Sequence, residues 1–178
     1  MSAKKIILAT VALVAGYKFY RASNPGIPKK VVPISGFEIN RYLGKWYEVA
    51  RVDNRFEKGL INTTAQYALN DDGTVNVLNS GVDKNTGRFK RASGTAKFVR
   101  GEYEGALKVS FFGPFYGGYN IVELDEDYRW AIIVGSSLNF FWVLSRTPEI
   151  PESVKDRANK IASEVGIDPE NINWVEHY

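Results

Sequence analysis

From Lys45 to Ser145 the chain is a succession of apolar and aromatic stretches, each five to nine residues long, and no helical period persists through any of it. Turn signals break the stretches at Asn70-Asp71-Asp72-Gly73, Asp83 to Gly87, Arg100-Gly101, Gly117-Gly118, Asp125-Glu126-Asp127 and Ser136 to Asn139. Spacing of this kind joins consecutive antiparallel strands by hairpins. Candidate strands fall at 45–53, 61–69, 74–80, 88–91, 94–99, 106–112, 118–123, 129–134 and 140–145, two of which belong to one bent strand. About eight strands in an up-and-down order can remove their exposed edges by closing on themselves, and a closed barrel of that size has room inside for one small ligand. The pattern therefore predicts an all-β fold, an eight-stranded antiparallel up-and-down β-barrel.

After Pro148 the period changes to that of a helix. Pro151 suits a first turn, Val154, Ala158, Ile161, Ala162 and Val165 share one face, and Gly166 supplies the stop. A closed barrel offers such a stripe only its outer wall, so the C-terminal α-helix is expected to pack there. Asn171 to Val175 reads as a short final strand.

The chain carries 23 Lys and Arg against 20 Asp and Glu, but the excess is local. Residues 1–30 hold six basic groups and no acid, so the body that follows carries 17 basic and 20 acidic groups and is net negative. Beyond Arg88-Phe89-Lys90-Arg91 it has no basic run, and no nucleic-acid partner is expected. In the basic segment Lys4 and Lys5 precede an apolar run from Ile6 to Tyr17, the layout of an export signal or a short membrane anchor, with a buried core helix as the alternative. Residues 1–22 are read as that signal or anchor, 23–31 as a linker punctuated by Pro25, Gly26 and Pro28, and 32–178 as the barrel domain.

The absence of cysteine excludes disulfides, thiolate metal sites and a cysteine nucleophile, and the single His177 argues against histidine-based catalysis and a multi-histidine metal site. No catalytic residue, metal or cofactor is expected, and no glycine-rich phosphate loop is present. The Gly113 to Gly118 cluster has no lysine or helix after it and is turn chemistry.

Three segments carry more information. Gly44-Lys45-Trp46-Tyr47 opens the first strand behind a helical turn. Gly118 to Tyr128 runs from a strand into the acidic turn that holds Asp125, and Trp142-Val143-Leu144-Ser145-Arg146 ends the last barrel strand, where Arg146 can cap an aromatic face. Together with Arg55 to Leu60 and Leu107 to Asn120, they resemble the bacterial branch of the lipocalin family, which is related to apolipoprotein D, over about residues 32–176. The resemblance implies a barrel open at one end, a closed end built on Gly44, Trp46, Asp125, Tyr128 and Arg146, and binding of fatty acids or lysophospholipids in the bacterial cell envelope, at the outer membrane or in the periplasm. The relatives carry a lipidated cysteine where Val14-Ala15-Gly16 here leads into Tyr17, so that lipid anchor is not available and the apolar segment itself would hold the membrane.

Strand alternation predicts the cavity. If Trp46 points inward, so do Glu48, Ala50 and Val52. Phe140, Trp142 and Leu144 share the inner face of the last barrel strand, Tyr67 and Ala65 that of the second, and Asn79 and Val77 that of the third. A largely apolar interior with Glu48, Tyr67 and Asn79 as polar points suits an amphipathic lipid; the competing reading is that these aromatics fill a packed core. Glu48 is expected to pair with Arg51 or to be protonated. The aromatic stretch Phe111 to Tyr119 is read as an exposed loop that folds over the rim, touches a membrane or joins two copies in a homodimer. Lipid binding with storage or transport is the leading reading, and a ligand-free structural or interaction module of the envelope is the alternative.

Overall fold

A computed structural model describes residues 26–54 and 57–178. The signal or anchor assigned to 1–22, the first residues of the linker, and Arg55 and Phe56 lie outside the described residues. Among the described residues, nine strands follow a short helix α1 (Ile39–Tyr42): β1 (Gly44–Val52), β2 (Leu60–Leu69), β3 (Val75–Asp83), β4 (Phe89–Phe98), β5 (Ala106–Phe112), β6 (Phe115–Leu124), β7 (Trp130–Gly135), β8 (Phe141–Ser145) and β9 (Ile172–Trp174), with helix α2 (Glu152–Val165) between the last two. Each strand from β2 to β8 pairs antiparallel with its neighbour, and β1 pairs with both β8 and β2, closing an eight-stranded barrel. The candidate strands at 88–91 and 94–99 are one strand, β4.

The seam at β1 is shared. Gly44 to Tyr47 faces β2, Tyr47 to Arg51 faces β8, and Ala50 to Val52 faces β9, which takes the edge that β2 leaves as it diverges. Because β1 runs from the closed end to the open end, the loops after β1, β3, β5 and β7 rim the mouth, and those after β2, β4 and β6 lie at the base.

Alternation sorts the apolar side chains into two cores. The inner one holds Trp46, Ala65, Tyr67, Val77, Leu107 and Leu144. The outer one holds Val49, Ile132, Val134, Phe141 and Val143 of the wall against Ala158, Ile161, Ala162 and Val165 of α2. Each fully buried branched side chain contributes roughly 1.5–3 kcal/mol, enough to hold a 14-residue helix that would be marginal alone. Pro151 precedes α2 in an extended conformation, and Gly166, left-handed at φ 98°, ends it by donating to the carbonyls of Ala162 and Ser163.

The structure corrects three expectations. A β-bulge between Glu48 and Ala50 breaks the alternation of β1, so Ala50 faces the outer core beside Val49, Val52 packs on that same outer core, and Arg51 turns inward instead. Gly117 and Gly118 are not a turn: β6 runs through them, and the β5–β6 hairpin turns at Gly113 and Pro114. The stretch Phe111 to Tyr119 is therefore a hairpin and not a loop, with Phe111 on the cavity wall and Phe112 in solvent. Phe140 precedes β8 and stacks on the Trp142 ring at 5.8 Å, off the cavity wall.

Candidate functional site

The closed end is built on one strand start. Gly44 takes φ 91°, a conformation that favours glycine, and a Cβ there would stand 3.6 Å from Arg146 Nη1. This turn aims Trp46 into the base of the barrel, where its Nε1 donates to the Tyr42 carbonyl at 2.7 Å. The Arg146 guanidinium lies 3.8 Å from the centre of a Trp46 ring and donates to the carbonyls of Lys45 and Arg41, both at 2.8 Å, and of Tyr128 at 3.3 Å. Tyr128, itself at φ 59°, accepts the Glu38 amide on its hydroxyl and carries Arg41 over its ring. Gly44, Trp46, Tyr128 and Arg146 thus come together. Asp125 stands apart from them: its carboxylate accepts the Asp127 and Arg129 amides and pairs with the Arg129 side chain, which fixes the turn that presents Tyr128.

Above this base is a cavity of about 90 Å³. One water needs ~10–15 Å³ by a comparable measure, so the aromatics do not fill the interior. The floor comes from Phe37, Ile39 and Tyr42, which precede the barrel, and the walls from Ala65, Val77, Ala96, Leu107, Val109, Phe111 and Leu144. Of the residues anticipated from strand alternation, Glu48, Tyr67, Asn79, Trp142 and Leu144 line the cavity; Trp46 lies beneath it, and Ala50 and Phe140 are not on its wall. The β5 set, Leu107, Val109 and Phe111, was present in the sequence as a period-two alternation. The floor residues had no such signal, because their positions depend on how the N-terminal arm crosses the base.

The polar groups form two sets. Tyr119 bonds through its hydroxyl to those of Tyr42, at 2.7 Å, and Tyr67, at 2.9 Å. Burial raises all three phenols above their ordinary range. Nearer the mouth, Glu48 Oε1 accepts from Arg51 Nη1 at 2.8 Å and from Thr63 Oγ1 at 3.4 Å. Arg51 is fully buried and also donates to Asp53 Oδ1 and the Leu60 carbonyl, each at 2.9 Å. Burial opposes its charge, but Glu48 and Asp53 outweigh that and raise it further. For Glu48 the balance is reversed: burial, and then the Glu57 carboxylate, push it up to about 8 against the pull of Arg51 and Thr63. Glu57, missed by strand logic because it sits in the mouth loop, accepts from Trp142 Nε1 at 3.1 Å and from Asn54. Asn79 lines the cavity, and its Oδ1 is buried and accepts no hydrogen bond among the described residues. His177 lies outside the cavity, edge-on to Tyr47 and 3.0 Å from the Glu48 carbonyl.

A wall of alkyl and aromatic carbon with carboxyl, amide and hydroxyl groups at defined points suits a molecule that is apolar along most of its length and polar at one place. Comparison with known proteins identifies the fold and its relatives. The family model described as a lipocalin-like domain matches residues 37–177. The outer membrane lipoprotein Blc of Escherichia coli K12 is 42% identical over 172 residues, covering 97% of each chain. The protein of that name in Vibrio cholerae is 47% identical over 152 residues, covering 85% of this chain and 89% of the other. Apolipoprotein D of Mus musculus is 28% identical over 186 residues, covering 96% of this chain and 93% of its own. Among solved structures, insecticyanin of the tobacco hornworm Manduca sexta superposes with a TM-score of 0.67 at 18% identity, covering 86% and 88% of the two chains, a likeness of fold alone.

Proposed function

The chain belongs to the lipocalin family, and from that membership we propose that it binds an amphipathic lipid, a fatty acid or lysophospholipid, in the barrel and stores or carries it in the bacterial cell envelope. The observation that carries this reading is the cavity, lined largely by carbon and unfilled, with Asn79 on its wall and the Asn79 Oδ1 buried without a hydrogen-bond partner among the described residues. A barrel that served only as a structural module would gain by closing that space, since packed contacts and satisfied polar atoms both stabilise. Apolar contact alone supplies ample affinity: each buried methylene contributes about 0.8 kcal/mol before the costs of binding. The polar points then select the head group.

The envelope location draws support from the relatives, whose names describe outer membrane lipoproteins. This chain has no cysteine to carry a thioether lipid, and we assign the membrane contact to the basic, apolar residues 1–22. An intact mass that includes this segment supports the assignment; a mature chain beginning beyond residue 16 overturns it. For the ligand, native mass spectrometry of protein purified in mild solvent, followed by lipid extraction, is expected to show a copurifying amphiphile. Protein that carries none, and takes up neither oleate nor lysophosphatidylethanolamine when they are added, overturns the lipid-binding reading.

A further inference from the structure

The mouth of the barrel carries a surface that ligand binding does not use. Among the described residues, three phenylalanines stand in solvent around it: Phe89 at the start of β4, and Phe112 and Phe115 on either side of the β5–β6 turn, at 58%, 77% and 74% exposure. Side chains of this size are costly to leave in water, and a cluster on one rim marks a contact. The β3–β4 side of this rim is basic: residues 83–91 hold Lys84, Arg88, Lys90 and Arg91 against Asp83, in a barrel body whose net charge is negative. Lys84 pairs with Glu176 and Lys90 with Asp83, and the loop after β1 adds, among the described residues, Asp53 and Glu57 against Lys58, so Arg88 and Arg91, beside Phe89, carry the positive charge of the patch. Arg91 lies 5.2 Å from the centre of the Phe89 ring, so cation and aromatic form one patch. At the opposite end the loops carry Asp71, Asp72, Glu102, Glu104, Asp125, Glu126 and Asp127 against Arg100 and Arg129.

We propose that the open rim, through Phe89, Phe112 and Phe115 with Arg88 and Arg91, docks mouth-down on an anionic phospholipid surface. The charge distribution chooses this occupant over a second copy of the chain. Two such rims face to face would set basic residues against basic residues, whereas an anionic bilayer attracts the rim and repels the acidic base, and so orients the molecule. The aromatic rings are then at the level where apolar side chains enter the interface, with the arginines among the phosphates. Docked this way, the cavity mouth opens onto the lipids. The proposal does not depend on which molecule the cavity holds, or on whether residues 1–22 anchor the chain.

The cysteine-free chain permits a direct test on the full-length protein. Phe115→Cys at the rim and Tyr103→Cys at the base, where Tyr103 is 79% exposed, each take a single polarity-sensitive dye. Phe112→Cys serves as a second rim position, and near-ultraviolet circular dichroism confirms the fold of each. With vesicles of phosphatidylglycerol and phosphatidylcholine, the rim dyes are expected to shift to the blue and brighten and the base dye to remain unchanged. Pure phosphatidylcholine vesicles should give little effect. Adding Arg88→Gln and Arg91→Gln to the rim-labelled variants is expected to weaken the response by about tenfold or more. No response at either rim position, an equal response at rim and base, or a response indifferent to lipid charge and to the two arginines overturns the proposal. So does a rim response that grows with protein concentration in the absence of vesicles, which assigns the surface to a second copy of the chain.

Discussion

Glu48 and Arg51 are three residues apart on one strand, a spacing that places side chains on opposite faces of a sheet, yet they meet inside the barrel at 2.8 Å. The extra residue of the β1 bulge makes this possible. A buried ion pair adds little over apolar packing, but removing one partner strands the other. Arg51→Met is therefore expected to destabilise the protein by about 3–5 kcal/mol in denaturant unfolding at about pH 9, where the Glu48 carboxyl is ionised, and the double variant Glu48→Leu with Arg51→Met to recover most of that loss. A double variant no better than the single one would show that Arg51 acts through Asp53 and the Leu60 carbonyl instead.

The raised Glu48 predicts a pH dependence. Its carboxyl ionises near 4.5 in the unfolded chain and near 8 in the barrel, so between these values the folded state binds the extra proton. The stability that this group confers is fully present below about 4.5 and is lost as pH rises through about 8. Unfolding measured at pH 5 and pH 8 should show the native protein weakening, and Glu48→Gln should flatten that slope.

Arg146 replaces what a longer strand would supply at the base, since one side chain closes three carbonyls and covers Trp46. Arg146→Ala is expected to lower stability by about 2–4 kcal/mol. Lysine, which keeps the charge without the planar fork, should restore only part. Gly44→Ala should cost about 1–2 kcal/mol through its positive φ, read in the same thermal unfolding series.

The cavity can be filled from its wall. Val109→Trp on β5 is expected to abolish displaceable binding of a fluorescent fatty acid at a stability cost of about 1–3 kcal/mol. Asn79→Leu separates the two halves of a ligand: it removes an unpaired buried oxygen, so the empty protein should gain about 1 kcal/mol, while affinity for a head group that donates a hydrogen bond falls. Unchanged affinity across all head groups would remove Asn79 from the site.

The strand count, the closed barrel, the outer helix and its glycine stop were legible in the sequence, because each follows from a local period that the chain repeats over many residues. Within the strands the cavity residues Tyr67, Asn79, Trp142 and Leu144 follow from alternation alone, whereas Phe140, carried inward by the same alternation, precedes β8 and lies off the wall. The bulge in β1 was not legible, since one added residue leaves the apolar pattern nearly intact yet reverses every side chain beyond it, sending Ala50 out and Arg51 in. The rim hairpin was misplaced for a related reason: Gly117 and Gly118 look like a turn, but they sit within a strand paired to β5. Glu57 entering from the mouth loop, and Phe37, Ile39 and Tyr42 forming the floor, depend on where distant segments cross the barrel ends. Local sequence sets which residues can form strands and which face of each is apolar; the closing of the barrel decides which charges are brought together inside it and how much space they leave.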